Sequence, residues 1–266
     1  MTNNNDLLTI NNLGISFGGL KAVNGVNFTM KHGELLGLIG PNGAGKTTLF
    51  NMLSGIYTPS EGDILLEDKK INGLRPDKLS KEGIARTFQN IRLFDNLTVL
   101  DNVKLAMNQY MTYSVLTGMF RFPNYWREEK EASKEAREIL KIFDLDKYFR
   151  AFAGSLPYGA QRKLEIARAM ATKPKLLLLD EPAAGMNDTE TQDLMESIKM
   201  IRDKTNIGVL LIEHDMNLVL GICEKLVVLN HGEILAKGKP TEVINNEEVI
   251  EAYLGSGRST QWVFWK

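Results

Sequence analysis

Residues 40–47, GPNGAGKT, satisfy every specified position of the G-x-x-x-x-G-K-[ST] phosphate-binding pattern. The preceding run, Glu34-Leu35-Leu36-Gly37-Leu38-Ile39, predicts a buried strand, and Thr47–Leu53 predicts a helix. A strand, a glycine-rich turn and a helix in that order fit few arrangements other than an α/β core. The glycines let backbone N–H groups turn inward around a phosphate chain, and the helix N-terminus adds positive potential. Gly40, Pro41, Asn42, Gly43, Ala44, Gly45, Lys46, Thr47 and Thr48 are therefore candidate nucleotide-binding residues. Lys46 would reach the β- and γ-phosphates, and the Thr47 hydroxyl would take one Mg²⁺ position. The competing reading is a fortuitous glycine-rich turn. With Gly at ~7% of residues, such a chance match is on the order of one in a hundred for a chain this long.

The 266 residues can bury a full core, as one large domain or a domain with a subdomain. A formal net charge of −1 argues against a strongly electrostatic nucleic-acid binder, so no nucleic-acid partner is expected. The single Cys223 excludes an internal disulfide, fits a reducing compartment and reads as a small buried hydrophobe. No apolar run approaches the ~20 residues that span a bilayer. The opening MTNNNDLLTI has neither a basic n-region nor an apolar core. The expected location is cytoplasmic, at a membrane only through a partner.

Leu7–Leu13, Val26–Met30 and Gly62–Leu66 carry the apolar alternation or enrichment of strands, and Leu176–Leu179 and Gly208–Ile212 read as buried strands. Leu226–Leu229 and Glu233–Ala236 flank Asn230-His231-Gly232, a hairpin turn signal. Helical patterns follow several of these strands, which makes the core α/β. Between roughly Phe88 and Pro157 the character changes to helices alone, over Leu97–Met107 and Trp126–Phe143. This predicts a helical subdomain inserted into the core. Met111–Pro123 is apolar and aromatic, and reads as a packed hairpin or as a surface that docks on a membrane partner. The tail, residues 255–266, joins a flexible Gly/Ser piece to aromatics, as a vector-derived extension or a docking tail would.

Leu176–Leu179 leads into Asp180-Glu181, a buried strand ending in carboxylates. At the C-terminal edge of a parallel sheet these acids stand beside the phosphate loop. Asp180 would act on the Mg²⁺ shell, and Glu181 would polarise an attacking water. Gly208–Ile212 likewise ends in Glu213-His214-Asp215, where His214 can contact a γ-phosphate. Gln89, after Ala85-Arg86-Thr87-Phe88, is by itself unremarkable.

In this order the segments resemble the ATP-binding subunit of an ABC transporter, over about Leu7 to Leu254. The resemblance implies a P-loop ATPase core with an antiparallel β subdomain and an α-helical subdomain inserted at about 90–157. It implies ATP and Mg²⁺ as ligands. By the same resemblance, Phe17 stacks on adenine, although alone it reads as core. Gln89 contacts metal and water and senses a membrane subunit, Asp180 is the metal acid, Glu181 the catalytic base and His214 the switch histidine. Ala184-Gly185-Met186-Asn187 stands where the family's D-loop lies between two ATPases, with Asn187 in place of the usual Asp.

The signature segment departs from the family's LSGGQ. It reads Leu156, Pro157, Tyr158, Gly159 and Ala160, then Gln161 and a helix over Arg162–Ala171. Pro157 offers no hydroxyl to the γ-phosphate on the other subunit, while proline suits a helix's first turn. That Tyr-Gly pair followed by QRKLEIARAM resembles the ATPases of branched-chain amino-acid importers, as do AAGMN, LLIEHDM and NNEEVIEAYLG. Relatives for urea and short amides share much of this, and a soluble non-transport ABC ATPase is a further alternative. The expected partners are a second ATPase subunit, as homo- or heterodimer, transmembrane permease subunits and, indirectly, a solute-binding protein.

Overall fold

The computed structural model describes residues 6–110 and 123–254. The tail and all but the last residue of Met111–Pro123 lie outside the described residues. Two sheets organise the chain. The smaller is antiparallel, in the order β2-β1-β4-β5, from β1 (Asp6–Phe17), β2 (Leu20–Lys31), β4 (Glu61–Leu66) and β5 (Lys69–Lys70). The larger has the order β10-β9-β3-β8-β7-β6, from β3 (Leu35–Ile39), β6 (Ile84–Arg86), β7 (Leu176–Asp180), β8 (Gly208–Ile212), β9 (Lys225–Asn230) and β10 (Glu233–Gly238). All its pairings are parallel except the β9–β10 hairpin, whose turn places His231 and Gly232 at φ 47° and 82°. Both turn residues in the left-handed region is what a two-residue type I′ hairpin requires.

The parallel strands are buried on both faces, and their alternate residues belong to two different cores. Leu36, Leu38, Leu176, Leu178, Leu210 and Ile212 pack with Leu8, Ile10 and Phe28 of the antiparallel sheet and with Leu49 and Phe50 of α1 (Lys46–Leu53). Leu35, Ile39, Leu177, Leu179, Val209 and Leu211 pack on the other side, against helices. That period-2 division explains why these strands read as continuous apolar runs rather than alternating ones. The result is three layers, with the sheet in the middle.

Among the described residues the remaining α-helices are α2 (Pro76–Glu82), α3 (Val99–Met107), α4 (Pro123–Ile142), α5 (Tyr158–Met170), α6 (Asp188–Thr205), α7 (Met216–Ile222), α8 (Pro240–Val243) and α9 (Glu247–Leu254). Helix α5 begins a turn before the expected Arg162, because Pro157 is the N-cap (φ −56°, ψ 153°) and Tyr158 the first helical residue. Among the described residues no helix is long and apolar enough to cross a membrane. Cys223 is buried against this framework, and burial pushes its thiol up to about 12.

Candidate functional site

The phosphate loop follows β3 and ends at Gly45, the left-handed N-cap (φ 101°) of α1. A side chain at Gly40 would run into the Leu229 carbonyl, and a Cβ at Gly45 would sit 2.7 Å from the Ala22 carbonyl oxygen. Only glycine lets the backbone pass this close to its neighbours. Gly232 N–H donates to the Ala44 carbonyl (3.0 Å) and Asn24 N–H to the Gly232 carbonyl (2.8 Å), so the β9–β10 turn and β2 brace the loop from outside. The sequence shows that turn only as a hairpin. Lys46 Nζ donates to the Gly40 and Pro41 carbonyls at 2.6 and 3.0 Å. Burial holds its amine below the ordinary lysine range, and the charge of Glu181 partly opposes this. Asn42, Gly43, Ala44, Gly45, Lys46, Thr47 and Thr48 line one cleft of about 370 Å³ together with Glu181 and His231.

Asp180 is the last residue of β7, in register with Ile212 of β8. Glu181 follows at φ 48°, with its N–H donated to the Ile212 carbonyl at 2.9 Å. Its carboxylate accepts from Gln89 Nε2 at 2.9 Å on one oxygen, and His214 Nδ1 lies 3.6 Å from the other. Gln89 and His214 thus both reach the Glu181 carboxylate, although the three are far apart in sequence. Behind His214, buried Glu213 accepts from Ala183 N–H (3.0 Å) and His214 N–H (3.1 Å). Desolvation still pushes its carboxyl above the usual carboxylate range. Asp180 itself is ion-paired to Arg86 Nη2 at 2.8 Å.

Among the described residues no group of three or more His, Cys, Asp or Glu could hold a metal ion. The Thr47 hydroxyl, the Gln89 amide oxygen and the Asp180 carboxylate are hard donors, the kind Mg²⁺ accepts when phosphates fill its other positions. The donor chemistry fits.

Phe17 and the Leu156–Gln161 segment are not among the residues that line the phosphate cleft, although Leu20, the strand partner of Phe17, is. Phe17 is 44% exposed and packs edge-on against Tyr57, with ring centroids 5.2 Å apart. Leu156, Pro157, Tyr158, Gly159, Ala160 and Gln161 run into the first turn of α5, with Pro157 as its N-cap. There Gln161 Nε2 donates to the Leu156 carbonyl (2.9 Å), and the Tyr158 hydroxyl donates to the Ala184 carbonyl (3.0 Å). The Tyr158 ring also lies beside Gly185, so this segment is tied to Ala184–Asn187. Asn187 closes a capping box with Glu190 at the start of α6, a role its amide fills as well as a carboxylate would.

Residues 23–184 match the ABC transporter family. The chain is 46% identical over 249 residues to the high-affinity branched-chain amino acid transport ATP-binding protein BraF of Pseudomonas aeruginosa, over 94% of this chain and 98% of that one. The chain belongs to the ABC transporter ATP-binding family. The corresponding LivG protein of Escherichia coli K12 is also 46% identical, with the same coverage. The crystal structure of the ADP conformation of MJ1267, an ATP-binding cassette of an ABC transporter, superposes with a TM-score of 0.82 at 33% identity, covering 94% of this chain and 99% of that one. Residues 233–258 match a second family, the branched-chain amino acid ATP-binding cassette transporter.

As an ABC ATPase, the chain hydrolyses ATP. Its geometry adds residues that sequence patterns do not single out. Arg162, on α5, is buried and donates to the Phe88 carbonyl (2.9 Å) and to the Gln89 carbonyl. It pairs with buried Glu165 at 3.2 Å, whose carboxylate also accepts from Arg92 N–H at 3.3 Å. Burial raises the Glu165 carboxyl, and Arg162 opposes that rise. This ion pair fastens the Gln89 loop of the ABC ATPase to its signature helix. The sequence signal for it is weak: Arg and Glu three apart on a helix more often mark a solvated face.

Proposed function

We propose that this chain is the ATPase subunit of a branched-chain amino-acid importer, spanning residues 7–254 with the helical subdomain at about 90–157. The observation that carries the reading is the phosphate loop and Glu181 in one cleft, with Gln89 and His214 both on the Glu181 carboxylate. In this reading the loop N–H groups and Lys46 hold the phosphates. Glu181 accepts a proton from the attacking water, while Gln89 and His214 fix the carboxylate and the water's position. Thr47, Gln89 and Asp180 would hold Mg²⁺, which would supply positive charge against the phosphate oxygens. The solute class follows from the similarity to BraF and LivG and from the match at residues 233–258.

The Leu156–Gln161 segment of this chain is not among the residues lining the phosphate cleft. A second ATPase subunit, as homo- or heterodimer, would supply its Leu156–Gln161 segment to the γ-phosphate, and Phe17 would supply stacking to the base. Phe88–Leu97 would meet the permease subunits, which keep the chain at the cytoplasmic face of the membrane. Reconstitution with those permeases and a solute-binding protein tests the whole reading. Uptake of radiolabelled leucine, isoleucine or valine should require ATP and intact Glu181. Uptake of urea or a short amide instead, with no branched-chain transport, contradicts the solute assignment.

A further inference from the structure

Arg86 ends the edge strand β6, and its guanidinium is held from several directions at once. Nη1 donates to Asn51 Oδ1 at 2.7 Å and to Ser54 Oγ at 2.8 Å, while Nη2 donates to Asp180 Oδ2 at 2.8 Å. The Phe50 and Phe88 ring centroids lie 5.6 and 5.1 Å from the guanidinium carbon. The two ion-paired side chains are only 7% and 11% exposed. Arg86 Nε is buried with no hydrogen-bond partner among the described residues. A planar fork anchored by an amide, a hydroxyl and a carboxylate loses most of its rotamer freedom, and a lysine could not reproduce those contacts.

Two facts set up a competition. Asp180 is a buried carboxylate, which is costly without a counter-charge, and Arg86 supplies that charge. A divalent cation arriving at Asp180 meets a carboxylate whose Oδ2 is already committed to a fixed cation. Two positive charges then share one carboxylate in a partly desolvated site, where their mutual repulsion is poorly screened. The ring faces of Phe50 and Phe88 further stabilise the guanidinium in place, so Arg86 does not step aside cheaply.

We propose that Arg86 is a positioning residue that neutralises Asp180 and competes with the metal ion for it, lowering the site's metal affinity. This rests on the reading of Asp180 as the metal acid. Arg86 would keep the Asp180 carboxylate compensated between turnovers and keep the metal from binding too tightly.

The test uses the full chain, with ADP present and Mn²⁺ as an EPR-visible probe for free and bound metal, alongside melting curves without metal or nucleotide. Arg86→Gln should lower the metal-free melting temperature and tighten Mn²⁺ binding about tenfold, the scale expected for removing one nearby cation at intermediate screening. Unchanged or weaker Mn²⁺ binding overturns the proposal. If Arg86→Gln does not fold, Arg86→Lys decides, with about threefold tightening expected from a looser cation and none contradicting it. Asp180→Asn separates the two layers of inference. A large loss of Mn²⁺ binding there with an indifferent Arg86 variant refutes only the competition. An indifferent Asp180→Asn refutes the metal-acid reading and the competition with it.

Discussion

Glu181 occupies the left-handed region at φ 48°, a conformation that costs a non-glycine residue about 1–3 kcal/mol. The surrounding hydrogen bonds hold it there, with its N–H on the Ile212 carbonyl at 2.9 Å and its carbonyl accepting from Ala184 N–H at 3.2 Å. The turn aims the carboxylate into the phosphate cleft instead of along the strand. Glu181→Gln keeps the shape and one acceptor but removes the proton acceptor. Losing a general base typically costs about 10²–10⁴ in rate. Phosphate release from the variant should fall by that factor, with ATP affinity little changed by fluorescence titration. Turnover within a few-fold of wild type contradicts the assignment.

At the scale of elements, the Arg162–Glu165 pair makes α5 and the loop after β6 one mechanical unit. Any displacement of Gln89 should be felt at the start of α5, where Tyr158 in turn holds Ala184. Arg162→Lys keeps the charge but loses the fork that reaches two carbonyls. Turnover should fall about tenfold, and in a Gln89→Ala background the same change should cost almost nothing further, the signature of coupled residues. Additive losses would show that Arg162 acts apart from Gln89. What is legible in the sequence divides along the same line. The phosphate loop, the leucine strand and the hairpin turn are legible because each is a local pattern of residues in contact with their own neighbours. Strand β6 and helix α2 are not, at three and seven residues, too short for a period to register. Arg86 and Arg162 are hidden for another reason: they find their partners Asp180 and Phe88 at sequence separations of 94 and 74. Such contacts belong to the fold. The start of α5 departs from expectation because Pro157 caps a helix that its sequence only promises from Arg162.

For the whole molecule, the question is what the exposed apolar surface beyond Gln89 meets. Phe94 is 50% exposed, while its backbone is fixed by buried Asn102, which accepts from Phe94 N–H (3.0 Å) and donates to its carbonyl (3.1 Å). A rigid backbone presenting an apolar ring suits a helix laid in a groove. Phe94→Asp should leave basal ATPase within about twofold, since surface changes usually cost within about ±0.5 kcal/mol. Solute-stimulated ATPase and uptake should collapse in reconstituted membranes. Loss of basal activity as well would indicate a folding role instead.

The phosphate loop and the Leu156–Gln161 segment belong to one chain yet do not share a cleft. Under the proposed function two chains face each other, each completing the other's site. Sedimentation velocity of the Glu181→Gln protein, with and without saturating ATP and Mg²⁺, measures this directly. The protein should sediment as a monomer without nucleotide and as a dimer with ATP, alone or with its natural ATPase partner, and Pro157→Ser should strengthen the association. A mass unchanged by ATP, even with that partner present, would contradict it.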